Sequence, residues 1–141
     1  MPLYPMTSLI YLRNNMRLLL DTHIFIWYIQ GNPRLSKMVQ SKIAQAVEVY
    51  VSSASIWEIA IKVSLKKLNI KIERIVEAIA ESDFLELPVS MHHASFISQL
   101  PHIHSDPFDR LLIAQAMTEP LTFLTADSNL KEYSELVEVL D

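Results

Sequence analysis

The chain has no cysteine. Disulfides and thiolate zinc sites are therefore excluded, and a cytoplasmic setting is the expectation. Charge is also sparse, at 20% of residues against the quarter or so usual for a soluble domain, which points to surface covered by a partner or a second copy. No apolar run approaches the roughly 18 residues that would span a bilayer. The opening stretch, MPLYPMTSLIYLRNN, lacks a basic region ahead of an apolar run and does not read as a secretion signal.

What is present fits one domain. The 141 residues are half hydrophobic, enough for a real core at this length. The net charge of −4 speaks against nucleic-acid binding, which usually shows a basic surplus. That objection weakens on inspection. Of 16 acidic residues, four are candidate site carboxylates; without them the balance is 12 acidic to 12 basic. Bound divalent cations would make such a site positive toward a phosphate.

Residues 1–15 stand apart, with two prolines and no periodicity. Met16 is one candidate start of the chain; the other reading is an ordered arm packing on a domain that covers 16–141. From there strands and helices alternate. Arg17 to Leu20 reads as a buried strand, followed by a helix capped by Asp21-Thr22 and ended by Gly31, the only glycine. Ser36 caps a helix to about Val47, and Val49 to Val51 is a strand. A helix runs from Ser53 or Ser55 to about Leu68, with Ile56, Ile59, Ala60 and Val63 on one face. A helix over 72–82, a strand over 84–87 and a helical stretch over 91–100 come next. Pro101 to Asp106 is a loop, and Pro107 starts a helix to about Met117. Strands at 121–125 and 137–139 close the chain. This alternation predicts an α/β fold, three layers deep, with a largely parallel five-stranded sheet flanked by helices.

In such sheets ligands bind beyond the carboxyl ends of the strands. Asp21 ends the first strand and Asp127 follows the fourth by two residues. Glu58 and Asp109 lie in the early turns of helices leading away from the same edge. Clustered carboxylates repel one another, and a cation in their midst relieves that. All-oxygen ligation suits magnesium or manganese. Each residue also has a plainer role. Asp21 and Asp127 can be helix caps, Glu58 can pair with Lys62 one turn on, and Asp109 can favour a helix start. Only their shared edge makes the joint reading persuasive.

Four stretches carry a family resemblance: Leu18-Leu-Leu-Asp-Thr-His23, Val51-Ser-Ser-Ala-Ser-Ile-Trp-Glu-Ile-Ala-Ile-Lys62, His104-Ser-Asp-Pro-Phe-Asp-Arg-Leu-Leu-Ile-Ala-Gln-Ala116 and Leu124-Thr-Ala-Asp127. In order and spacing they resemble the PIN-domain ribonucleases, and more narrowly the VapC-type toxins of toxin–antitoxin pairs. The third stretch is the most specific. The resemblance covers residues 17 to 141. It implies a PIN-like fold, a metal-dependent endoribonuclease using magnesium or manganese, and a catalytic and metal-binding set of Asp21, Glu58, Asp109 and Asp127. It also implies an antitoxin bound at the active-site groove, encoded nearby, and a homodimer. Glu119-Pro120 departs from the family, which often has a glycine turn there.

Other residues keep open roles. Asp106 reads as the cap of the helix beginning at Pro107, or as a ligand to a second metal. Arg110 reads as a phosphate holder or as the partner of a site carboxylate. Thr22 and Thr125 are placed to hydrogen-bond site aspartates. Lys66 and Lys67 read as a solvated helix end, Trp57 as core or interface, and His92-His93 as an exposed pair. His102-Ile-His104-Ser-Asp106 begins like the zinc motif of metallo-β-lactamase-like hydrolases, but Pro107 replaces its final histidine and the chain is short and glycine-poor for that fold. Two other functions compete with the ribonuclease. One is a catalytically inactive PIN-fold module that binds RNA or protein. The other is an aspartate-nucleophile phosphohydrolase, which would want a second Asp where His23 stands.

Overall fold

The computed structural model describes residues 16–140; the extension over 1–15, with both readings of it, lies outside them. Strand β1 (Arg17–Leu20) leads into helix α1 (Thr22–Gln30), then α2 (Lys37–Gln45) and β2 (Glu48–Ser52). Next come α3 (Ser53–Ser64), α4 (Ile72–Glu81), β3 (Leu85–Leu87) and α5 (Met91–Phe96), which tightens into a 3₁₀ turn over Ile97–Gln99. Helix α6 (Pro107–Thr118), β4 (Thr122–Thr125), a 3₁₀ segment (Ser128–Tyr133) and β5 (Val137–Val139) complete the described chain.

The five strands form one sheet in the order β3-β2-β1-β4-β5, and every neighbouring pair is parallel. β1 is central, and the alternation of Leu18, Leu19 and Leu20 is visible in the core. Leu18 and Leu20 point into a layer with Phe25, Ile43, Val51, Ile59 and Ile75, while Leu19 points into the opposite layer with Leu112, Ile113, Phe123 and Leu130. This is the period-two signature of a strand buried on both faces. Helices α1 to α4 thus cover one face and α6 the other, giving the expected three-layer α/β fold.

The chain builds outward from β1 to β2 and β3, then returns to place β4 and β5 on the other side. The direction reverses between β1 and β4, so a crevice opens beyond their carboxyl ends. Asp21 stands at that point, its amide donating to the Leu124 carbonyl at 2.9 Å.

Local chemistry explains most boundaries. Gly31 ends α1 in the left-handed conformation at φ 62°, and the following Asn32 amide reaches back to Trp27. α3 stops at Ser64 rather than Leu68. Lys66 takes the left-handed conformation at φ 58°, and the Lys67 amide closes on the Lys62 carbonyl at 2.9 Å. Leu65 is more than half exposed, so another turn would bury little. The stretch 91–100 is not one helix but α5 plus the 3₁₀ turn. His93 is not exposed, unlike His92. It is buried, its Nδ1 accepts from the Ser90 amide at 3.0 Å, and Ser90 caps its amide in return. Its Nε2 meets Glu119, which ties α5 to the end of α6.

Candidate active site

Asp21 is the most constrained acid. It caps α1, and its Oδ1 accepts from the Thr22 amide at 2.7 Å. Its Oδ2 accepts from the Thr125 hydroxyl, on the neighbouring strand β4, at 2.6 Å. The residue is buried, and burial pushes its carboxyl above the ordinary range against the pull of these two donors. Thr22 serves through its amide alone; its hydroxyl donates to Ser55 at 2.9 Å, joining α1 to α3.

Four further acids face the same opening. Asp21, Glu58, Asp106, Asp109 and Asp127 line one crevice of about 430 Å³. Glu58 sits in the second turn of α3 and pairs with Lys62 at 3.2 Å, so the plainer role foreseen for it is real, yet both residues line the crevice. Asp106 caps α6 as expected, accepting from the Phe108 and Asp109 amides at 2.8 and 3.1 Å. Asp127 caps the 3₁₀ segment through the Asn129 amide. Capping and lining the site are therefore not alternatives here: helix starts turn these side chains toward one crevice, although of the five acids only Asp109 and Asp127 bring donor atoms into one close group.

Asp109 shows the strain of the assembly. Its carboxyl is pushed up to about 7, first by burial, then by Asp21, Asp106 and Glu58, with only His104 opposing. Oxygen donors gathered at this density fit a hard divalent cation, which would relieve that repulsion. One donor atom each from His104, Asp109 and Asp127 lies within 4.8 Å of the others.

The crevice has a second character that the sequence did not disclose. His23, Trp27, Arg34 and Lys62 line it beside the acids. The Arg34 guanidinium lies 5.6 Å from the Trp27 ring centre, and the His23 ring packs near the same indole. His23 and Trp27 lie one turn apart on α1, Arg34 follows the end of that helix and Lys62 is on α3, with no motif to single them out. His104 was also missed as a site residue. Its Nε2 is 3.0 Å from Asp109 Oδ2. Of the zinc-like run, His102 is exposed, and neither it nor Asp106, which caps α6 while lining the crevice, belongs to that cluster.

Two readings need correction. Arg110 holds neither a phosphate nor a carboxylate. It is buried, and its guanidinium donates to the carbonyls of Pro101 at 2.9 Å and Ile97 at 3.4 Å and to the Tyr133 hydroxyl at 3.2 Å. The Leu112-Ile113-Ala114 side of α6 is buried, and it carries Arg110 inward with it. Of the two places read for Trp57, core is ruled out while an interface stays open: it is 60% exposed, packed edge-on against Phe108 with centres 5.0 Å apart. Lys66 and Lys67 are exposed at the helix end as read.

Comparisons with known proteins agree with this architecture. No curated protein matches by sequence. A crystal structure of VapBC2 from Rickettsia felis, bound to a DNA fragment from its promoter, contains a chain similar at 19% identity and a TM-score of 0.65, covering 86% of this chain and 96% of that one. A DNA-bound VapBC from Salmonella typhimurium gives 17% identity and a TM-score of 0.61, covering 89% and 98%. At such identities the likeness is one of fold. The PIN domain family model matches residues 18–136, nearly the whole described chain. Together with the parallel sheet and the acidic crevice at its switch point, that match shows that this chain belongs to the PIN domain family.

Proposed function

We propose that this chain is a divalent-metal-dependent endoribonuclease acting as the toxin of a VapC-type toxin–antitoxin pair. The observation that carries the reading is the convergence of Asp21, Glu58, Asp109 and Asp127, from four separate elements, on one crevice. Asp21, Glu58, Asp109 and Asp127 would hold magnesium or manganese. Such a cation supplies charge stabilisation at the phosphate and a more acidic water for in-line attack. The chain's own part is positioning. Thr125 and the Thr22 amide fix both oxygens of Asp21, and Asp106 sets the start of the helix that bears Asp109.

The other lining residues suit a single-stranded nucleic acid, and the choice of RNA follows the family resemblance. Arg34, Lys62 and His23 offer positive or hydrogen-bonding groups beside the acids, and Trp27 backs the Arg34 guanidinium, itself a plane on which bases stack. Phosphates bind such cations and unpaired bases stack on such planes. The partners of this reading are a small antitoxin over the groove and a second copy of the chain. Exposed apolar side chains, including Trp57 beside Glu58 and the highly exposed Met38 and Met91, give those partners surface to cover. Among the described residues no helix is long and apolar enough to cross a membrane.

The test is direct. Purified full-length protein should cleave RNA with magnesium or manganese and stop in excess EDTA. Asp21→Asn and Asp109→Asn should each lower the rate by at least about a hundred-fold, the scale on which removing one charge-stabilising group acts. Undiminished cleavage in EDTA, or in both variants, would sink the metal mechanism. Sequencing RNA ends after induced expression would identify the target.

A further inference from the structure

We infer that His104 is a nitrogen donor to the cation of this site, alongside Asp109 and Asp127, and that it biases the site toward manganese over magnesium. The inference rests on the metal-dependent reading above and adds a ligand to it. Three observations carry it.

The first is distance. His104 Nε2 lies 3.0 Å from Asp109 Oδ2, and with Asp127 the three donor atoms fall within 4.8 Å of one another. At metal–donor lengths of about 2.0–2.2 Å, ligands of one ion lie at most about 4.4 Å apart, so small side-chain adjustments suffice.

The second is the way the loop before α6 is held. The His104 amide donates to the Tyr133 hydroxyl at 2.8 Å, and that hydroxyl donates to the His104 carbonyl at 3.2 Å. Arg110 then donates to the same hydroxyl, so the phenol accepts two bonds and donates one, its full capacity. A buried guanidinium without a carboxylate, anchored instead to the carbonyls of Ile97 and Pro101, is a costly way to fix an irregular loop. It makes sense where one side chain of that loop must be placed accurately, and His104 is the side chain it places. The third observation is selectivity within the loop: His102, two residues earlier, is exposed and remains outside the cluster.

Imidazole suits transition metals, whereas magnesium prefers oxygen donors and keeps several waters. A site with one nitrogen among its carboxylates therefore separates the two ions. Ligation needs the ring neutral, with its proton on Nδ1 and the lone pair of Nε2 directed at the ion.

The experiment uses the full chain loaded with manganese. Pulsed electron paramagnetic resonance should show coupling to a directly bound imidazole nitrogen. His104→Gln should abolish that coupling and weaken manganese binding by about ten-fold or more, with magnesium binding changed far less. Tyr133→Phe keeps the imidazole but loosens its anchor; it should retain the nitrogen coupling and lose manganese affinity more modestly. Circular dichroism confirms that both variants fold. Manganese bound without nitrogen coupling, or an unchanged manganese-to-magnesium ratio in a folded His104→Gln, overturns the inference while leaving the metal reading intact. Failure of the wild type to bind manganese at all overturns both.

Discussion

Replacing Asp109 by Asn should make the metal-free protein more stable at neutral pH, even as it removes a proposed ligand. Asp109 has its carboxyl pushed from 3.8 to about 7 by burial and by Asp21, Asp106 and Glu58. A carboxyl raised in the folded state keeps its proton where the unfolded chain releases it. The stability this gives is fully present below about 4 and is lost as pH rises through 7. Each unit is about 1.4 kcal/mol, so roughly three units set a ceiling of about 4 kcal/mol. The side chain is 20% exposed in a crevice open to water, and screening leaves about 1–2 kcal/mol. Asn cannot ionise, and its amide oxygen can still accept from His104. Thermal melts in EDTA at pH 4, 5, 6 and 8 would measure the difference. The variant should gain on the wild type with rising pH up to about 7 and then hold a lead of about 3–8 °C. Magnesium or manganese should reverse the order by stabilising only the wild type strongly. A variant that melts below the wild type in EDTA at pH 8, by as much as at pH 4, would refute the reasoning.

Arg34→Ala should weaken RNA binding across sequences and lower the salt slope of log affinity by about 0.7, measured by fluorescence anisotropy at several salt concentrations; an unchanged slope would remove Arg34 from the substrate path. Asp106→Ala should cost about 1 kcal/mol in a denaturant melt, because two amides at the start of α6 lose their acceptor, whereas Asp106→Ser should keep that stability. Asp106→Ser should also keep cleavage within a few-fold; its abolition would make Asp106 a ligand. Thr125→Val should lower divalent-ion affinity in a calorimetric titration, since the hydroxyl that orients Asp21 Oδ2 is gone. Equal affinity would mean that burial and the Thr22 amide suffice to orient that carboxylate.

The fold was legible because its sheet is parallel and its strands are short apolar runs set between turn and cap signals. Leu18 to Leu20 reads as a buried strand whatever lies around it, and Gly31 marks the end of α1 by a conformation that few other residues adopt. Where reading overshot, tertiary context decided. α3 continues in pattern past Ser64, but Leu65 is more than half exposed, and Lys66 turns the chain without a glycine. His93 sits in a polar pair by sequence and is buried by its contact with Glu119, twenty-six residues away. Period and propensity carry no information about such a partner.

The site divides along the same line. Asp21, Glu58, Asp109 and Asp127 line one crevice because each stands just past a strand or early in a helix, and helix starts point side chains at the sheet's carboxyl edge. Position along the chain was enough to bring them together. What position cannot say is which group a side chain touches on arrival. Arg110 illustrates this: beside Asp109 in sequence, it lies one step round the helix, where α6 is packed against the core, and its charge is directed to loop carbonyls rather than to an anion. The same turn of the helix leaves Asp109 facing the crevice and His104. Neighbouring residues on α6 thus divide two tasks, one building the site and the other holding the loop that completes it. Removing Arg110 should therefore loosen His104 without altering any acid, a consequence opposite to that of a phosphate-binding arginine.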